Sequence, residues 1–510
     1  MKKVSLFIIA FFIFNHCKNT PSTTTTTQEQ TAPLQPSGQS GEVLAQLYCG
    51  SCHLYPEPAL LDKKSWTHEL LPNMGARLGI KTPQYDPLKQ VDAMDKMMIQ
   101  TENIYPKTPL LHQEDWDKIV AFYKQAAPDK LLLSPNKTVA APLKNFKIKA
   151  FPTEMRPLTT LTTIDTLHQK MYIGLLNGAF MTFDKHFNLV NTLTMPISPV
   201  SVAYGKNDKL HILGMGHIHP NESKEGAFFE ANTEGSQKLF GDLRRPVNVA
   251  EIGDNQWIIS EFGYQKGRLS YYTKINNEWR SAALATTAGA TKALPFDFNK
   301  DGLMDVAVLM AQGDEHISIF YNKGNANFEE KQVLRFSPVN GSSDLQVVDF
   351  NKDGFMDFVY TNGDNADFSP ILKPYHGVHI YLNDGKDNYT EGSFYPMYGA
   401  FQAKAADFDL DGDMDIVAVA FFPDDKTKPA SHFLYLEQTA PFIFKPYTFK
   451  EATQGKWMTM DIGDVDGDGD ADILLGSFAM DLAGRENLFD KLDYKEKVVP
   501  FLFLENTIKK

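Results

Sequence analysis

Cys49-Gly50-Ser51-Cys52-His53 brings two thiols and an imidazole into five consecutive residues of a chain that holds only three cysteines. Thiols two residues apart can each add to one vinyl group of a single haem, and the histidine that follows is then set to bind the iron from the proximal side. A redox-active dithiol or a structural disulfide is the other chemistry open to such a pair. That chemistry is expected in a βαβ setting, and no such pattern surrounds residues 49–53. Covalent attachment of one haem c is the expectation.

A second constellation repeats. Asp297, Asn299, Asp301, Gly302 and Asp305 recur as Asp349, Asn351, Asp353, Gly354 and Asp357. They recur again as Asp407, Asp409, Asp411, Gly412 and Asp415, and as Asp464, Asp466, Asp468, Gly469 and Asp472. Oxygen side chains at positions 1, 3 and 5 converge when the chain turns sharply, and glycine at position 6 permits the turn. The carboxylate at position 9 is expected to close the shell, with a backbone carbonyl near position 7 as a further ligand. This is the chemistry of a hard cation, and Ca2+ in up to four loops is the expectation. An EF-hand starts alike but requires Glu at position 12, where this chain has Val308, Tyr360, Ala418 and Leu475. Empty acidic turns are the alternative. The first two copies carry three acidic side chains and the last two carry five, which would repel one another without a cation.

Both sets of residues need elements to hold them. Glu42 to His53 can form a helix that ends in the C-x-x-C-H motif. Residues 113–126 form another, with Trp116, Ile119, Val120 and Tyr123 on one face and Pro128 as its stop. Each Asp-rich loop is followed by a β-rich apolar run, such as Val306 to Met310 or Ile416 to Ala420. About four strands fit each repeat, the content of a propeller blade. Residues 157–290 continue at a similar period without the acidic loop: Pro199 to Ala203 and Pro246 to Ala250 start alike, and Asn177-Gly178 reads as a hairpin turn. Three such units and four acidic ones make about seven blades, with six or eight open. A ring must close, and the strand-like residues 146–151 could do so by pairing with the last unit near residues 501–504.

The haem segment resembles a c-type cytochrome: C-x-x-C-H on a first helix, loops, then a last helix with aromatic residues. The resemblance implies a sixth iron ligand. Met74, in the sequence Leu70-Leu71-Pro72-Asn73-Met74-Gly75, is the leading candidate because Pro and Gly suggest a loop. Met94, Met97 and Met98 are rivals whose spacing also suits core packing, and His68 and His112 would give two histidine ligands. The repeats resemble the FG-GAP or VCBS repeat of integrin α propellers and of bacterial surface and periplasmic proteins. That resemblance implies loops joining two strands of a blade and binding Ca2+ mainly for rigidity.

The expected fold is therefore multidomain: a small all-α cytochrome c-like domain followed by an all-β propeller. Lys2 and Lys3 before an apolar run over residues 4–14 read as a signal peptide. Cys17 would be the lipidated first residue of the mature protein, resembling a bacterial lipoprotein, although Phe14-Asn15-His16 departs from the usual small residues. Secretion with unmodified Cys17 is the alternative. The expected divisions are a signal at 1–16, a flexible tether at 17–41, the haem domain at 42–128, a linker at 129–142 and the propeller at 143–510. The threonine run at 23–27 and neighbouring Ser, Gln and Pro suit a tether. The net charge of −13 argues against nucleic acid as a partner. His217 with His219 could hold a metal, and Arg244-Arg245 an anion, though a solvated turn is the plainer reading of the arginines.

The function expected is electron transfer by an exported protein tethered to the membrane through its N-terminal lipid. Its localisation would be the periplasm or cell envelope. A redox partner protein is expected, and the propeller would bind a carbohydrate or protein ligand. A surface-binding or adhesion propeller with an accessory haem, and a periplasmic dehydrogenase reducing its own haem, are the alternatives.

Overall fold

Apolar runs with both faces to bury make a ring of blades, because each blade covers the faces of its neighbours. The structure, a computed structural model, describes residues 34–82, 85–89, 91–133, 142–150, 155–204, 209–365, 369–424, 429–480 and 498–509. The leader over residues 1–16, Cys17, the tether up to residue 33 and most of the expected linker, residues 134–141, lie outside the described residues.

Seven four-stranded antiparallel sheets form. Blades 1 to 6 span residues 159–194, 199–243, 246–285, 290–335, 342–396 and 400–447. Blade 7 takes three strands from residues 457–506 and its outermost strand, Phe146–Ala150, from the opposite end of the propeller sequence. Ile148 faces Leu504 in that ladder, so the closure expected from sequence is formed. Three units without the acidic loop and four with it do make seven.

Burial follows position in the blade. The second strands Asp305–Met310, Asp357–Asn362, Asp415–Ala420 and Asp472–Ser477 are buried at every residue, which is why an apolar run follows the opening Asp of each. The fourth strands, such as Glu278–Ala285, lie at the rim and are largely exposed. Apolar clusters join adjacent blades: Val417, Tyr435, Trp457 and Ile473 pack together between blades 6 and 7.

Among the described residues the N-terminal region has four α-helices: α1 (Gly41–Cys49), α2 (Leu71–Arg77), α3 (Ala93–Thr101) and α4 (Gln113–Ala126), with a π-helical turn, Ser65–Leu70, leading into α2. Helix α4 buries Trp116, Ile119 and Tyr123 as its pattern predicts. Helix α1 crosses it closely: a Cβ on Gly41 would lie 2.2 Å from the Lys118 carbonyl oxygen. Helix α1 stops at Cys49 rather than at His53. Gly50 and Ser51 are weak helix formers, and the Ser51 hydroxyl bonds back to the Tyr48 carbonyl at 2.8 Å. The end of the expected tether is anchored, since Ser37 N–H donates to Asp115 Oδ2 at 2.8 Å and Ser40 caps α1.

Antiparallel strands send their connections alternately to the two faces of the ring. The Asp-rich loops join first to second strands and share one face. The helical segment docks on the other, where second-to-third loops and links between blades emerge. Val339 and Ile371 from those connections enter the helical core with Leu61, Trp66 and Trp116. The Tyr375 hydroxyl donates to the Leu60 carbonyl at 3.1 Å.

Candidate functional sites

Cys49 is half-buried at the end of α1 and Cys52 is exposed in the turn that follows, each a free thiol. Burial pushes the Cys49 thiol up to about 11, with the Tyr123 hydroxyl opposing that shift. A thiol held protonated at neutral pH is a poor redox dithiol, which works through a thiolate. The His53 Nδ1 lies 3.0 Å from the Leu54 carbonyl oxygen. A carbonyl only accepts, so Nδ1 carries the proton and Nε2 keeps the lone pair that a metal needs. Burial lowers the pKa of this ring, which also feels Asp314 and Arg335 of blade 4 and Arg77 of α2. The motif therefore faces the propeller rather than standing apart from it.

The donor set suits a haem: two unpaired thiols at the right spacing, and an imidazole whose outer nitrogen is oriented by a backbone carbonyl. Apolar side chains beside the motif, Leu47 and Leu54, are 62% and 40% exposed, the surface an apolar prosthetic group would cover.

Met74 lies on α2, not in a loop. Pro72 follows directly on the π-helical turn, where the regular i to i−4 ladder is already interrupted, and Gly75 passes against the Trp116 ring, where a Cβ would sit 2.8 Å from Cζ2. Met74 packs on the same apolar cluster as Cys49. Met94 and Met97 on α3 are 63% and 57% exposed, so neither fills a core. His112 caps α4 through Nδ1, which accepts from Glu114 N–H at 3.2 Å. That leaves the proton on Nε2 and no lone pair there for iron. His68 is exposed, with Nδ1 2.8 Å from the Thr67 hydroxyl.

On the opposite face the four Asp-rich loops share one conformation. Gly302, Gly354, Gly412 and Gly469 at position 6 have φ between 87° and 98°. Position 4, which sequence reasoning passed over, is left-handed as well: Lys300, Lys352 and Leu410 hold φ near 60°, and only Gly467 is suited to it. The lysines at position 4 reach the next loop. Lys300 lies over the Phe355 ring and Lys352 bonds the Gly412 carbonyl.

The position 9 carboxylates sit deeper than a metal shell alone requires. Asp305, Asp357, Asp415 and Asp472 are at most 1% exposed. Asp305 accepts from Asn322 N–H at 2.8 Å and Phe298 N–H at 3.0 Å, tying the loop to the end of the third strand. Asp357 and Asp472 repeat this with Asn383 and Asn506. Burial pushes Asp415 and Asp472 up to about 7. Carboxylate oxygens of Asp407, Asp409 and Asp411 lie within 4.8 Å of one another, as do those of Asp464, Asp466 and Asp472. Asp407 Oδ1 is buried without a hydrogen-bond partner, an orphan that a cation would satisfy. In the first two loops the carboxamides of Asn299 and Asn351 donate to Asp301 and Asp353 at 3.0 and 2.9 Å.

His217 pairs with Glu225 at 3.0 Å, and no third ligand joins it or His219 among the described residues. Arg244-Arg245 is not a solvated turn: Arg244 pairs with Glu222 at 3.2 Å, and Arg245 donates to the Ile218 and Gly263 carbonyls. No helix among the described residues is long and apolar enough to cross a membrane.

Residues 297–360 match the family described as FG-GAP-like repeat, a stretch that holds the first two Asp-rich loops. No curated protein matches the chain in sequence. Among solved structures, the N-terminal domain of Nup159 is similar at 10% identity and a TM-score of 0.41, covering 73% of this chain and 98% of that one. The β-propeller domain of Myceliophteria thermophila Cps50 (Swd1) is similar at 6% identity and a TM-score of 0.41, covering 71% of this chain and 99% of that one.

Proposed function

We propose that this protein is an exported electron carrier in which a haem-bearing helical segment is mounted on a calcium-stabilised seven-bladed propeller. Cys49 and Cys52 hold one haem c by thioethers, His53 Nε2 is the proximal ligand, and Met74 is the distal one. The bound haem supplies one-electron transfer, and the chain's own residues do the rest: thiols anchor, Leu54 orients the imidazole, and apolar side chains keep water from the ring. The observation that carries this reading is the His53 Nδ1 contact to the Leu54 carbonyl beside two unpaired thiols.

Ca2+ would occupy the Asp-rich loops, with Asp407 Oδ1 among the atoms it would satisfy. The propeller then acts as a rigid platform for a redox partner protein or for a carbohydrate or protein ligand. Export, a lipid on Cys17 and residence in the periplasm or cell envelope belong to the same reading, since haem c attachment is chemistry of exported proteins. The acidic balance of −13 disfavours nucleic acid.

A second assignment of the distal ligand has one observation in its favour. Met94 and Met97 are exposed on α3, where a packing role would have buried them. The experiment is expression in a host that matures c-type cytochromes, followed by mass measurement of the denatured protein and a redox titration. Covalent haem with a reversible one-electron wave supports the proposal. Protein without covalent haem sinks it. Haem reduction driven by an added sugar or alcohol would instead make it a dehydrogenase.

A further inference from the structure

Helix α2 carries Met74 and, one turn on, Arg77, which reaches out of the helical segment. The Arg77 Nη2 donates to Gln265 Oε1 at 2.6 Å, and its guanidinium lies over the Tyr105 ring with 5.6 Å to the centroid. Gln265 belongs to the second-to-third loop of blade 3. Its backbone N–H donates to Glu222 Oε1 at 2.7 Å, in the corresponding loop of blade 2. Glu222 is 2% exposed and its Oε2 accepts from Arg244 at 3.2 Å. The Glu222 backbone N–H in turn donates to Asp95 Oδ1 on α3 at 3.0 Å. One chain of hydrogen bonds through two propeller loops therefore grips both α2 and α3. Lys266 adds an ion pair to Glu102 at 3.2 Å just past the end of α3.

The grip has consequences for a ligand on α2. A ligating side chain must be held to about 0.5 Å by supporting groups, and a seven-residue helix after a π-helical turn supplies little rigidity alone. Blade 5 also holds the segment, through Tyr375 and Leu60. Blades 2 and 5 are three steps apart, as far as two blades in a ring of seven can be, so the segment spans the face and cannot swing freely.

We propose that Gln265 is a positioning residue for the haem site: through Arg77 it sets the placement of α2, and so of the Met74 sulfur. This rests on the haem reading given above. Removing the acceptor loosens α2 and weakens the thioether bond to iron. The thioether favours ferrous over ferric iron, so its loss lowers the reduction potential.

The test uses the full-length holoprotein and compares Gln265→Leu with Gln265→Glu, which retains an acceptor for Arg77. Gln265→Leu should lose much of the thioether-to-iron charge-transfer absorption. Its midpoint potential should fall, by about 59 mV for each tenfold loss in the preference of the sulfur for ferrous iron. Gln265→Glu should keep both. Tyr375→Phe, which breaks a contact on the other side of the segment, should also keep both. An unchanged band and potential in Gln265→Leu overturn the proposal, as does equal loss in Tyr375→Phe, which would make any loosening sufficient. Wild-type protein without covalent haem, or a band that survives Met74→Ala, overturns the haem reading itself and this inference with it.

Discussion

Phe187 of blade 1 and Phe503 of blade 7 touch with ring centroids 4.2 Å apart, and Phe183 and Phe501 add an edge-on contact at 6.0 Å, so the two ends of the propeller meet through aromatic rings. Lys149, on the strand that closes blade 7, lies over the same Phe187 ring at 4.1 Å. Phe503 is fully buried in the cluster of Met171, Phe183 and Leu474. Phe503→Ala should destabilise the propeller by about 3–5 kcal/mol, as large-to-small core changes do. Urea denaturation followed by tryptophan fluorescence checks this. A midpoint within a few tenths of wild type would mean that the ring does not depend on this seam.

Haem attachment has a residue-level signature. Cys52→Ala should leave at most one thioether and His53→Ala should remove the proximal ligand, while Met74→Ala abolishes the thioether-to-iron charge-transfer absorption of the oxidised protein. Met97→Ala should keep that absorption. Mass spectrometry of denatured protein and absorption of the oxidised form read these outcomes. The band surviving in Met74→Ala but not in Met97→Ala would move the ligand to α3.

Calcium should govern propeller stability. A ligand that binds only the native state adds RT ln(1 + [L]/Kd), about 2.7 kcal/mol per site at a hundredfold excess over Kd. Melting should therefore shift strongly upward from chelator to millimolar calcium. Asp411→Ala and Asp468→Ala should each reduce the shift, by removing the position 5 side chain of one loop. The haem spectrum should barely respond, because these loops leave the face opposite the helical segment. Identical melting temperatures in chelator and calcium would identify the loops as empty turns.

Glu315 predicts a pH dependence away from the acidic loops. It is 3% exposed and accepts from Ser342 N–H at 2.9 Å, from the Ser342 hydroxyl at 2.5 Å and from Gly341 N–H at 3.2 Å. Burial pushes its carboxyl up to about 7, against 4.5 for an ordinary glutamate. Between these values the folded state holds a proton that the unfolded chain has lost. Stability from this group therefore falls as pH rises through that window and levels off above it, a loss of about 3 kcal/mol. Glu315→Gln keeps the shape and should flatten the decline between about pH 5 and pH 8 in urea titrations. Equal slopes in both proteins would assign the decline to other carboxyls.

Much of this protein was determined by sequence alone, because its signals are local. An Asp-x-Asn/Asp-x-Asp-Gly loop dictates its own turn, so four loops, their following strands and about seven blades were legible without a structure. So was the last helix, whose face of Trp116, Ile119 and Tyr123 follows the helical period. The pairing of Phe146–Ala150 with Phe501–Asn506 was legible because only one strand-like run remained to close the ring.

Tertiary structure decided what depends on contacts distant in sequence. Position 9 of each loop reads as a cation ligand, yet Asp305 is bound to the third strand through Asn322, a role visible only once the sheet is folded. Met74 reads as a loop residue from Pro72 and Gly75, but the helix accommodates the proline next to its π-helical turn, and glycine there gives room to Trp116. Arg244-Arg245 reads as a surface turn, and Glu222, buried 22 residues earlier in the chain, captures its first arginine. The docking of the helical segment on the face opposite the acidic loops had no signal in composition or period. Its contacts, Arg77 with Gln265 and Asp95 with Glu222, join residues whose partners exist only after two separate cores have formed.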